Sequence, residues 1–125
     1  MDIYAPCALG ATVNPSTISR LKCEIIAGAA NNQLEDESRD SQLCIDKGIC
    51  YTPDFLINAG GLINVYSELK GYSRENALNQ TKEIYTTTLE ILNKAKLECI
   101  SNHAAALQVA KQRIKHRRGL ISNAK

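Results

Sequence analysis

Three short β-type runs, each closed by a loop of small residues, constrain this chain more than any other feature. The runs are Ile3-Tyr4-Ala5, Cys23-Glu24-Ile25-Ile26-Ala27 and Ile49-Cys50-Tyr51. Pro6 stops the first, Gly28 the second, and Pro53-Asp54 turns the chain after the third. Helical segments separate them. Asn14-Pro15-Ser16-Thr17 reads as a helix start, with Ile18 and Leu21 as its apolar side. Glu35 to Lys47 reads as loop and then helix, with Gly48 suited to its end. Strands alternating with helices predict parallel pairing through crossovers, and so an α/β fold.

The loops lie at the carboxyl ends of these strands or just beyond: Pro6-Cys7-Ala8-Leu9-Gly10, Gly28-Ala29-Ala30-Asn31-Asn32-Gln33 and Asn58-Ala59-Gly60-Gly61. Open parallel sheets bind ligands at that edge. Small residues allow close backbone approach, and Asn amides both donate and accept. Plain turn chemistry accounts for the same composition.

The rest of the chain reads as helical. Gly60-Gly61 opens Leu62-Ile63-Asn64-Val65-Tyr66, Gly71 breaks that segment, and Ser73 caps a long helix to about Cys99. Leu78, Thr81, Ile84, Tyr85, Thr88, Leu89, Leu92, Ala95 and Cys99 recur at spacings of three and four, which puts them on one face. Ser101-Asn102 starts a last helix, expected to stop before Gly119. A parallel sheet needs both faces covered, and the edges of a three-stranded sheet are open. The expectation is therefore part of a larger α/β unit or an obligate oligomer. Alone, it is expected to be marginally stable and to self-associate.

Composition narrows the function classes. No apolar run in the 125 residues approaches the ~18 needed to span a bilayer, and the start has no signal-peptide pattern. Five cysteines with no Cys-x-x-Cys pair read as free thiols in a reducing cytosol, not as a disulfide framework or a metal site. Residues 1–60 hold eight acids against four bases, and residues 61–125 five acids against eleven bases. The basic run Lys111-Gln112-Arg113-Ile114-Lys115-His116-Arg117-Arg118 has no interleaved aromatic residue. It reads as the cation-rich end of a helix, not as a nucleic-acid surface. Cys7 has no base near it in sequence, and His103 and His116 read as surface residues. Asp36-Glu37 and Asp40 read as a solvated loop. There is no Gly-x-Gly-x-x-Gly turn and no P-loop.

Three blocks carry a resemblance. Asp2-Ile3-Tyr4-Ala5-Pro6-Cys7-Ala8-Leu9-Gly10-Ala11, Ile26-Ala27-Gly28-Ala29-Ala30-Asn31-Asn32-Gln33-Leu34 and Pro53-Asp54-Phe55-Leu56-Ile57-Asn58-Ala59-Gly60-Gly61-Leu62-Ile63-Asn64-Val65 resemble the leucine, valine and phenylalanine dehydrogenases. They stand in that family's order and spacing. The wider group also includes glutamate dehydrogenases. The resemblance implies NAD-dependent, reversible oxidative deamination of an amino acid to its 2-oxo acid and ammonia.

By that resemblance, Cys7 and Ala8 lie in the loop that passes the nicotinamide side of NAD, mainly through backbone. Asn31 matches the Asn at the nicotinamide ribose, with Asn32 beside it, and Asn58 matches the Asn that helps hold the nicotinamide end. Gly60 and Gly61 let the chain pass close to the reacting centre. Leu62 and Val65 fall on the substrate side-chain pocket. Glutamate-type members carry a hydroxyl residue where Val65 stands. An aliphatic residue leaves a substrate carboxylate without a partner, which costs several kcal/mol, so an apolar, branched-chain amino acid is favoured. Leucine-type members commonly carry Val at the position of Leu62; the extra methylene favours smaller substrates such as valine, by ~1–3 kcal/mol.

Family members are about three times as long. The resemblance therefore implies a carboxyl-terminal third: residues 1–66 as the distal half of a Rossmann-like NAD-binding domain, and residues 67–125 as a helical tail. The substrate domain, its catalytic Lys and Asp, and the Gly-rich turn all lie upstream in relatives. No catalytic residue is assigned here. The chain is expected to be inactive alone and weak in NAD binding, with an upstream half-protein as partner, in the cytoplasm, away from membranes and nucleic acid. The competing reading is a non-catalytic remnant that serves at most as an oligomerisation or interaction module.

Overall fold

The computed structural model describes residues 1–122. The last three residues of the expected helical segment 67–125 lie outside that range. The elements are β1 (Ile3–Tyr4), α1 (Pro15–Arg20), β2 (Ile25–Ile26), α2 (Glu37–Asp46), β3 (Cys50–Tyr51), α3 (Asp54–Ile57), α4 (Gly60–Leu69), α5 (Arg74–Glu98) and α6 (Asn102–Ser122). Three parallel strands in the order β1-β2-β3 are followed by helices, as the alternation predicts. Each strand is shorter than its apolar run.

Local chemistry sets the helix ends. At α1, Asn14 Oδ1 accepts from Thr17 N at 3.1 Å, and Thr17 Oγ1 accepts from Asn14 N at 3.0 Å. This is a reciprocal capping box, with Pro15 preset for the first turn. Asp36 caps α2 by accepting from Arg39 N at 2.7 Å. Gly48, at φ +70°, ends α2 in the left-handed conformation that glycine adopts at least cost. Ser73 caps α5 as expected.

Register divides the sheet into two rows. Tyr4, Ile26 and Tyr51 stand side by side, as do Ile3, Ile25 and Cys50. Ile26 and Tyr51 lie in a closed core with Val13, Ile18, Cys23, Leu34, Cys44 and Ile49, and Tyr4 packs against it. The other row is more open: Ile3 is 54% exposed. The two edges also differ. On β3, Asn102 Nδ2 donates to the Tyr51 carbonyl at 2.8 Å. Among the described residues, β1 has no strand on its other side.

A second, smaller core joins Ile91 and Ala95 of α5 to Ala105, Ala106 and Val109 of α6. The buried positions of α5 are Ala77, Ile91 and Ala95, while Leu78, Tyr85 and Leu89 of the apolar stripe are exposed. α5 packs against α3, α4 and α6. Two sequence expectations are corrected here. Pro53-Asp54 opens the four-residue helix α3 instead of a simple turn. Finally, α6 continues through Gly119, a substitution for Ala that helices tolerate at ~1 kcal/mol. α4 runs unbroken across the expected 66/67 division.

Candidate functional site

The carboxyl ends of the strands bring the first two small-residue loops together. A Cβ on Gly28 would stand 2.1 Å from the Pro6 carbonyl oxygen, so only glycine lets the two chains pass there. Ala30 N donates to that same carbonyl at 3.0 Å. One residue on, Cys7 Sγ accepts from Ala29 N at 3.5 Å. Farther along, Ala11 N donates to Asn32 O at 2.7 Å. Ala11 and Asn32 both hold left-handed backbones, at φ 54° and 51°. Strain of this kind is stored where surrounding structure over-determines it, and it clusters at ligand sites.

α3 delivers the third loop. Its four residues leave Asn58 at the C-cap. There Asn58 Nδ2 donates to Asn31 Oδ1 at 2.6 Å and to Ala29 O at 3.4 Å. Two carboxamides 27 residues apart in sequence thus meet at the sheet edge. Asn58 and Cys7 touch the Gly28–Gln33 loop, to which Asn31 and Asn32 belong. Cys7, Ala8, Asn31 and Asn32 are exposed. The group offers amide donors and acceptors beside flexible thiol and methyl surface, which suits a polar planar ligand end.

α4 begins two residues after Asn58. Leu62, Val65, Tyr66 and Leu69 follow helical spacing along it, and all four are exposed, Leu62 by 73% and Val65 by 59%. A Cβ on Gly60 would meet only Thr81 Cγ2 at 3.7 Å, and one on Gly61 would meet nothing within 4 Å. No contact inside the described residues requires glycine at either place.

Sequence reasoning missed Gln33, His103 and Asp40. Gln33 is fully buried, and its Nε2 donates to Gly28 O at 2.7 Å and Ala30 O at 2.9 Å. No periodicity marks such a residue. His103 was expected at the surface and is buried instead. It stacks edge-on against Phe55, with centroids 5.7 Å apart, and its Nε2 lies 3.2 Å from Glu37 Oε2. The return of α6 onto α2 puts it there. Asp40 was expected in a solvated loop but is fully enclosed, where it accepts from Asp36 N at 2.8 Å and Arg39 Nε at 2.7 Å. Burial pushes its pKa up. The Arg39 and Asp36 hydrogen bonds outweigh that and hold it below the ordinary carboxylate value.

Burial pushes the Cys44 thiol up to about 12, with the charge of Asp40 adding to the effect. Burial also raises Cys50 and Tyr51. Among the described residues, no three or more His, Cys, Asp or Glu side chains gather as a metal site, and no helix is long and apolar enough to cross a membrane. A cavity of about 380 Å³ between α2 and α6, bordered by Ser41, Ser101 and His103, shares no residue with the Asn31–Asn58 group.

A short parallel sheet with its polar loops gathered at one edge, followed by packed helices, defines an α/β domain fragment. Residues 1–120 match the Glutamate/Leucine/Phenylalanine/Valine dehydrogenase family, and the chain belongs to it. It is 53% identical over 114 residues to an L-tryptophan dehydrogenase of Nostoc punctiforme, covering 91% of this chain and 32% of that protein. It is 50% identical over 113 residues to a leucine dehydrogenase of Thermoactinomyces intermedius, covering 90% of this chain and 31% of that one. The crystal structure of the Nostoc punctiforme L-tryptophan dehydrogenase superposes with a TM-score of 0.89 at 51% identity, over 94% of this chain and 35% of that chain. The chain thus spans about a third of the length of these relatives.

Proposed function

We propose that this chain forms the nicotinamide-side wall of an NAD-dependent amino-acid dehydrogenase of the Rossmann-like type. The meeting of Asn31 and Asn58 at the sheet edge, 2.6 Å apart, carries the reading. The dinucleotide, when bound, supplies the hydride acceptor. The residues present fit one end of it. Asn31, Asn32 and Asn58 would hold the nicotinamide end with backbone of the Cys7–Ala8 loop, while the Gly-rich turn that grips a pyrophosphate at a helix N-terminus has no counterpart here. NAD affinity of the chain alone is therefore low.

Leu62 and Val65 stand on an open face of α4, one helical turn apart and close in sequence to Asn58. They offer an apolar wall to a substrate side chain and nothing to pair with a carboxylate. The substrate class is an amino acid with an apolar side chain, converted to its 2-oxo acid and ammonia. Similarity to relatives named for leucine and for tryptophan supports a class that takes in both branched and aromatic side chains. Proton transfer from the amino acid falls, in this reading, to groups of an upstream partner.

The test is NADH production from leucine, valine and tryptophan, by the chain alone and mixed with a separately made upstream segment of a relative. Activity in the mixture only is the expected result. No activity in either, with the chain shown to be folded, overturns the reading and leaves a non-catalytic interaction module. Within an active mixture, Leu62→Val should shift preference from valine towards leucine.

A further inference from the structure

We propose that Gln33 is the positioning residue of the nicotinamide-side loop, acting through its side-chain amide on Asn31 and through its main chain on Asn58. Its functional consequence rests on the dehydrogenase reading; its structural consequence does not.

Gln33 touches neither asparagine side chain. It has two amide hydrogens, and its Nε2 has two acceptors, Gly28 O at 2.7 Å and Ala30 O at 2.9 Å. Those carbonyls flank Ala29. With both held inward, Ala29 is left to face the edge: its N–H meets Cys7 Sγ, and its carbonyl lies 3.4 Å from Asn58 Nδ2. The next turn of the loop presents Asn31 Oδ1 to the same Asn58 amide. On the other side, Gln33 N donates to Asp54 Oδ2 at 3.3 Å. Asp54 opens α3, and Asn58 closes it. One residue therefore ties the loop that bears Asn31 to the helix that bears Asn58.

The chemistry asks for glutamine. Glutamate has the same length but would set oxygen against two carbonyls. Methionine would fill the space and donate nothing, leaving carbonyls in a buried loop without a donor. Asparagine is one methylene short. Leu34, buried in the main core, fixes the chain on the far side, so Gln33 cannot slide outward to relax.

The test uses the ¹⁵N-labelled 125-residue chain. In the unaltered protein, the Gln33 side-chain amide should exchange with D₂O at least tenfold more slowly than that of exposed Gln112. Equal rates overturn the proposal, and this arm does not depend on any variant folding. In Gln33→Met, the Asn31 and Asn58 side-chain amide signals should move while the Ile91 and Ala106 backbone signals stay in place. A variant that only lowers stability, with Asn31 and Asn58 signals unmoved in the folded state, overturns it as well. In an active mixture, Gln33→Met should raise KM for NAD about tenfold and leave KM for the amino acid unchanged. Moved asparagine signals with both KM values unchanged would keep the positioning role and defeat the assignment of Asn31 and Asn58 to NAD.

Discussion

The sheet half and the helical half of this molecule spend their apolar residues in opposite ways. Around β1–β3, the large side chains Ile26, Val13, Ile18 and Leu34 turn inward and close a core. Along α4–α6, Ala95, Ala105 and Ala106 share a small seam with Ile91 and Val109, while Leu62, Leu69, Leu78 and Tyr85 turn outward. The first half closes one core while leaving Ile3 and Leu9 exposed, and the second half leaves a longer row of large apolar side chains in the open. The chain spans about a third of its relatives' length. Isolated exposed leucines are ordinary, but a helical stripe of them is an interface pattern.

The largest effect should separate the halves directly. Ile26→Ala, at a fully buried position, should cost ~2–5 kcal/mol in urea unfolding. Leu78→Ala, half exposed on α5, should stay within ~0.5 kcal/mol. Similar losses at both sites would break the comparison.

The next effect belongs to α2 and has a sign set by its charge. The Asp40 carboxylate is held below its ordinary pKa, so it stabilises the fold above the ordinary carboxylate range. That contribution is lost as pH falls through the lowered folded value. Asp40→Asn should be markedly less stable near neutral pH, and the gap from the parent should shrink as the solution is acidified. A gap independent of pH would show that the ion pair with Arg39 contributes nothing.

Smaller still is the seam between the halves. Asn102→Ala removes the donor that caps Tyr51 O and should cost ~1 kcal/mol by thermal melting, with faster amide exchange at β3 than at β1. The smallest effect is a gain. Cys99 ends α5 with a left-handed backbone at φ 54°. Cys99→Gly should raise stability by ~0.5–1 kcal/mol, because glycine carries no Cβ penalty there. A loss would mean that the Cys99 side chain makes contacts worth more than the strain.

What the sequence revealed, and what it hid, follows from range. The helix starts at Asn14 and Ser73 are readable because each cap closes within three residues of chain. The strands are readable because their β-branched and aromatic runs end at Pro and Gly. Parallel order followed from alternation alone. The pairing of Asn31 with Asn58, the burial of His103 and the enclosure of Asp40 depend on packing between distant segments, and no local pattern encodes them. The resemblance marked Asn31 and Asn58 individually but not their contact. The spacing along α5 showed a face but not which of its residues are buried. Leucine outranks alanine on any hydrophobicity scale, yet a close helix seam selects for size.

The Asn102 cap on β3 also sets a limit on growth. A sheet extends by offering unpaired carbonyls and amides to another strand. Among the described residues, the Tyr51 carbonyl on the β3 side is taken by a side chain, while β1 has no strand on its outer side. A strand added to this sheet would therefore dock along β1, where the backbone is open, and not beside Tyr51.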